Sequence, residues 1–128
     1  MNLAKSQFDA APELMEREGK DIRINFGVEE IEIANSVGEG KDKEATTTRK
    51  AYAAYIIRIP QPIGYDTIVN AIISAAYPAD KMQAIINNHL LEADNAEHEQ
   101  EFAEMQEWRK TAKSVAKEAM AYYIEYFN

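Results

Sequence analysis

Residues 96–127, AEHEQEFAEMQEWRKTAKSVAKEAMAYYIEYF, decide the fold. Met105, Trp108, Ala112, Val115, Ala119, Tyr122 and Tyr126 fall alternately three and four residues apart. At about 3.6 residues per turn that spacing keeps one stripe facing a partner for about six turns. Neither Pro nor Gly interrupts the run. The stretch therefore predicts one long amphipathic helix, and the preceding residues must cover its stripe or leave it to another chain.

Working back, the period stays helical to residue 66. Asp80 is a candidate cap for a helix over 79–90, with Met82, Ile85, Ile86, His89 and Leu90 on one side. Asp66 is a candidate cap for a helix over 66–76, with Ile68, Val69, Ile72, Ile73 and Ala76 forming its apolar face. Tyr77-Pro78 separates the two, and residues 92–95 turn the chain into the last helix. Such short links predict helices that pack on their neighbours in sequence. Pro60-Gln61-Pro62-Ile63-Gly64 marks the joint with what comes before, since proline ends either kind of element.

Before that joint the period is two. Three threonines and the alternation of Tyr55, Ile57 and Ile59 read as a strand within 46–59, although the alanines at 51, 53 and 54 would also suit a helix. Ile22, Ile24 and Phe26 alternate with polar residues, and Ile31 and Ile33 resume the pattern after Gly27. A hairpin over 21–34 is the preferred reading, with a short helix over 28–35 as its competitor. Gly38-Glu39-Gly40-Lys41-Asp42-Lys43 reads as a surface loop, and it lacks the GK[ST] ending of a phosphate loop. Residues 1–20 divide between one or two short helices packed loosely, with Leu3, Ala4, Phe8 and Ala11 at helical spacing, and a mobile segment. The expected fold is α+β, a single domain in which a small antiparallel sheet from residues 21–59 is packed by three helices at about 66–76, 79–90 and 96–127.

Composition narrows the function. The chain has 128 residues, 46% apolar and 28% charged, which is ordinary for one globular domain. A net charge of −8 argues against nucleic acid as a partner, because phosphate binding rests on clustered Lys and Arg. Without cysteine, disulfides, thiolate metal sites and thiol catalysis are excluded, and a reducing cytoplasm is the expected location. No apolar run approaches the roughly 20 residues a membrane span needs, so no membrane role is expected.

Chemistry-bearing residues are sparse. His89 with Glu92, and His98 with Glu101, stand at helical i,i+3 spacing, a possible metal-ligand pattern. The order is the reverse of the Glu-x-x-His of diiron bundles, the first pair straddles a helix end and the matching bundle is absent, so solvent-exposed polar positions explain both histidines better. Glu97, Glu99, Glu101, Glu104 and Glu107 are explained by the helix N-terminus and by solvation, with Glu107 and Lys110 as an i,i+3 pair. The helix pair 66–90 has the spacing of a DNA reader, yet it offers Gln83, Asn87 and Asn88 with only one cation, Lys81. No serine lies in a nucleophile motif. These residues predict no catalytic centre, no metal site and no cofactor. What local physics leaves over is the aromatic end of the last helix. Tyr122, Tyr123, Tyr126 and Phe127, with Trp108 further up, are the candidate contact residues for a protein partner or for self-association.

Ile59-Pro60-Gln61-Pro62, the run Tyr65-Asp66-Thr67-Ile68-Val69-Asn70-Ala71-Ile72-Ile73, the run from Tyr77 to Asn88, and the run from Glu101 to Arg109 together resemble a family of small uncharacterised proteins of prophages and mobile elements of intestinal anaerobic bacteria. The resemblance spans about residues 52–118 and implies no activity, cofactor or catalytic residue. It implies a phage-related or mobile-element setting. The expected function is thus a non-catalytic interaction or assembly-accessory role, with a nucleic-acid-associated regulator built on residues 66–90 as the alternative.

Overall fold

The computed structural model describes residues 1–34 and 47–127. It contains strands β1 (Ser6–Phe8), β2 (Met15–Glu18), β3 (Asp21–Ala34) and β4 (Thr48–Pro60), then helices α1 (Tyr65–Ala76), α2 (Ala79–Leu91) and α3 (Ala96–Tyr126). The sheet is antiparallel throughout, in the order β1-β4-β3-β2. The protein is α+β, with the helices on one face of the sheet. The loop expected over 38–43 lies outside the described residues.

The hairpin expected within 21–34 is instead one continuous strand. Ile22, Ile24 and Phe26 stand opposite Ile59, Ile57 and Tyr55, so β4 supplies the apolar partners that a fold-back at Gly27 would have had to find among glutamates. Gly27 does break the regular pattern, but as a bulge. Its φ is +62°, and the register shifts between Phe26 and Glu29 before pairing resumes with Ala53. A Cβ at Gly27 would lie 3.0 Å from Cδ2 of Tyr55, so glycine is needed there for space as well as for its φ. The competing helix over 28–35 is also absent from the described part, since residues up to Ala34 are strand.

The short helices read in residues 1–20 are not formed. Those residues supply the two edge strands. β2 and β3 form the true hairpin: Glu18 pairs with Asp21 around a two-residue turn whose first residue, Gly19, has φ +61°. β1 pairs with β4 on the far edge through Ser6↔Ala54 and Phe8↔Tyr52. Both inner strands present backbone donors and acceptors that need partners, and this demand overrides the weak helical spacing of Leu3, Phe8 and Ala11. The link from β1 to β2 must pass β4 and β3. It does so across the sheet face away from the helices, where Asn25 Nδ2 donates to the Glu13 carbonyl at 2.7 Å and to Glu16 Oε2 at 3.1 Å. On the same face Arg23 is paired with Glu16 and Glu18, and Arg58 with Glu18.

The core lies between the other face and the helices. It gathers Met15, Ile22, Ile24, Phe26, Ile57 and Ile59 from the sheet, Ile68, Val69, Ile72 and Ala76 from α1, and Ile85 from α2. From α3 it takes Met105, Trp108, Ala112, Ala116 and Ala119. The three alanines are fully buried, and α1 packs along α3. α1 and α2 start without side-chain caps, on Gly64 and Pro78, so Asp66 and Asp80 act only as first-turn charges. α3 is properly capped: Asn95 Oδ1 accepts from the backbone N–H groups of Glu97 and His98 at 3.0 and 3.2 Å.

Candidate interaction surfaces

The five candidate contact residues separate into three situations. Trp108 belongs to the core. Its indole Nε1 donates to the Ile72 carbonyl at 2.8 Å, and its ring meets Tyr55 edge-on at 5.1 Å and Phe26 at 5.7 Å. It anchors α3 to α1 and the sheet, and it offers nothing to a partner. Tyr122, Tyr123 and Phe127 are half-buried against β2 and the segment before it. The Arg17 guanidinium lies 4.8 Å from the Phe127 ring centre and donates to the Phe127 carbonyl at 3.2 Å. Tyr122 donates to Glu13 Oε2 at 3.4 Å, and burial followed by the Glu13 charge raises its hydroxyl pKa above the usual value. Tyr126 alone projects: it is 64% exposed, beside Ile124 at 63%.

The buried line of α3 runs through Met105, Trp108, Ala112, Ala116 and Ala119, with Tyr123 and Phe127 partly buried beyond it. Tyr126, five full turns from Trp108, shares its meridian and is exposed because the core that covers Trp108 does not reach that end of the helix.

A second apolar spot went unnoticed in the sequence. Leu90 and Leu91, at the end of α2, are 71% and 82% exposed, the highest values among the large apolar side chains of the described residues. Spacing had placed Leu90 on the packed side of α2. In the structure only Ile85 of that side is buried, with Met82 and Ile86 partly so; in the last turn it is His89 that meets α3, while Leu90 and Leu91 stand in solvent. The adjacent pair Leu90-Leu91 just ahead of a polar turn was the available signal, since two consecutive leucines cannot both face inward.

The histidines connect helices instead of pairing within them. His89 Nδ1 lies 2.7 Å from Glu99 Oε1, and His98 Nδ1 lies 3.1 Å from Glu92 Oε2. The second contact is close but not aligned as a hydrogen bond. The His89 ring stacks flat on Phe102 at 3.8 Å. These pairs close the α2–α3 corner. Among the described residues no group of three or more His, Asp or Glu side chains is placed to hold a metal. Glu107 and Lys110 pair at 3.2 Å on the open side of α3, where both are well solvated and the pair is worth little. On α2, Gln83 donates to Asn87, and Lys81 stands over the Tyr77 ring. Among the described residues no helix is long and apolar enough to cross a membrane.

No family model, curated protein or solved structure matches the chain.

Proposed function

We propose that the protein works by binding another protein, without catalysing a reaction, through the apolar side chains left uncovered at the ends of its helices. The observation that carries this reading is the Leu90–Leu91 pair, with Ile124 and Tyr126 at the end of α3 as the second contact. Single exposed apolar residues are ordinary on protein surfaces, but adjacent large ones incur a solvation cost that contact with a partner relieves. The likeness of residues 52–118 to prophage and mobile-element proteins supports an accessory role in such a setting. A cysteine-free chain suits a reducing cytoplasm.

The test is affinity capture with the intact chain, run beside Leu90→Ser/Leu91→Ser and Ile124→Ser/Tyr126→Ser, with solution mass recorded for each. A partner or second copy held by the wild type and lost by one double variant, at an unchanged melting temperature, is the expected result. Equal capture by all three proteins, or no association by any of them, overturns the reading.

A further inference from the structure

The side of α3 that receives the end of α2 is covered along only part of its length. His89, in the last turn of α2, stacks on Phe102 and meets Glu99. Lys117 stands about five turns beyond Glu99, and Lys113 about three turns beyond Phe102, so both lie on that same side. Ile124, about two turns past Lys117, continues the line. All three are exposed, Ile124 by 63%. One meridian of α3 thus carries the end of α2 first and bare helix afterwards.

The two lengths differ in sign. From Met82 to Trp108 the chain has no Lys or Arg, and from Trp108 to Lys117 it has no Asp or Glu. Glu92 and Asp94 stand exposed just past Leu90 and Leu91. Among the described residues Asp94, Lys113 and Lys117 have no ion-pair partner. The continuous helix holds the two charges apart, since Glu99 and Lys117 are separated by about 27 Å along it. That is well beyond the roughly 8 Å over which exposed charges act at physiological salt. The chain cannot neutralise its corner with its own basic stripe. Each length also carries uncovered apolar side chains, Leu90 and Leu91 on one and Ile124 on the other.

We infer that a second copy of the chain covers this side of α3, packed antiparallel about a two-fold axis near the midpoint between Glu99 and Lys117. The end of α2 in each copy then lies on the bare helix of the other. Leu90 and Leu91 meet Ile124 of the partner subunit, and Asp94 faces the partner subunit's Lys113 and Lys117. The same contact is made twice, so the dimer is closed. A parallel pairing would set acid against acid and base against base, which repels. This inference rests on the protein-binding reading above and names its partner as a second copy.

Solution mass of the intact protein over about a hundredfold range of concentration tests it. The wild type should rise to twice the monomer mass and stop there, and high salt should weaken it by screening the charge pairs. Two variants reverse one charge each at exposed positions: Ala93→Lys/Asp94→Lys at the corner and Lys113→Glu/Lys117→Glu on the stripe. Each should raise the dissociation constant about 10-fold or more, because like charges then face each other. Mixed in equal amounts, the two should dimerise as the wild type does, since each corner again meets a stripe of opposite sign. Thermal melts confirm that both fold. Leu90→Ser/Leu91→Ser and Ile124→Ser, read in the same way, decide the matter should a charge variant fail to fold. A monomer at every concentration, unchanged dimerisation in the variants, growth beyond two copies, or a mixture of folded variants that stays monomeric overturns the proposal. Capture of a different protein through Leu90 and Leu91 would then leave the protein-binding reading standing, and capture of none would remove both.

Discussion

Trp108 and Tyr126 lie eighteen residues apart on one helix, both on the stripe that the sequence pattern draws, and they behave in opposite ways. Trp108 is buried with its single donor satisfied by α1, whereas Tyr126 stands in solvent. Eighteen residues are five full turns, so the two side chains share one meridian of α3. The difference teaches that spacing fixes the direction of a side chain but not how far along the helix its covering partners reach: the sheet rings and the Ile72 carbonyl meet Trp108, and the core stops short of Tyr126.

That contrast can be broken from the buried side first. Trp108→Ala removes a ring packed against Phe26 and Tyr55 and leaves the Ile72 carbonyl without its donor. A loss of about 3–5 kcal/mol in chemical denaturation is expected. Ala116→Leu asks whether the buried line truly passes through residue 116. A leucine there must displace its buried neighbours, at a cost of about 1–3 kcal/mol, while a leucine at the half-buried Val115 should be tolerated. Phe127→Ala tests the inward end of the line. The ring is only half-buried under Arg17, so about 1 kcal/mol is expected. Tyr126→Ser, at the outward position, should stay within about 0.5 kcal/mol in thermal melts of the monomer.

A pH series sharpens the same contrast among the tyrosines. The folded-state pKa of Tyr77 is raised, so the native state resists losing this proton while the unfolded chain releases it near pH 10. Its contribution is therefore fully present below about pH 10 and is lost as pH rises through the higher folded value. Melting temperature should fall above pH 10 less steeply in Tyr77→Phe than in the wild type.

The sequence made the helical half legible almost to the residue. The 3.6 period, the Pro-Gln-Pro joint and the 92–95 turn place α1, α2 and α3 within a residue or two of their observed bounds. Those are local signals. The sheet was only half legible, because strand partners are chosen by distant residues. Nothing near Ile22 announces that Ile59 lies opposite, and nothing near Phe8 announces Tyr52. Gly27 looked like a turn because glycine with positive φ serves turns and bulges alike. The partners of the histidines are hidden for the same reason: i,i+3 spacing and a solvated position are both local readings, whereas Glu99 and Glu92 reach His89 and His98 from across the corner. The pocket lined by Met1, Tyr77, Lys81, Ile85, Glu101 and Glu104 had no sequence signal at all, since its walls come from the first residue, the α1–α2 turn, α2 and α3.

The strap from β1 to β2 bears on the order in which the chain assembles. β2 and β3 meet across a two-residue turn and can close within microseconds, while β1 has no edge to join until β4 has been made and paired. Residues 9–14 are then laid over a sheet that already exists, with Asn25 waiting beneath Glu13. Contacts between distant parts of a chain bear the larger loop-closure entropy. The first eight residues should therefore be the last to dock and the first to open, exchanging their amide hydrogens well ahead of those of Ile24 and Ile57.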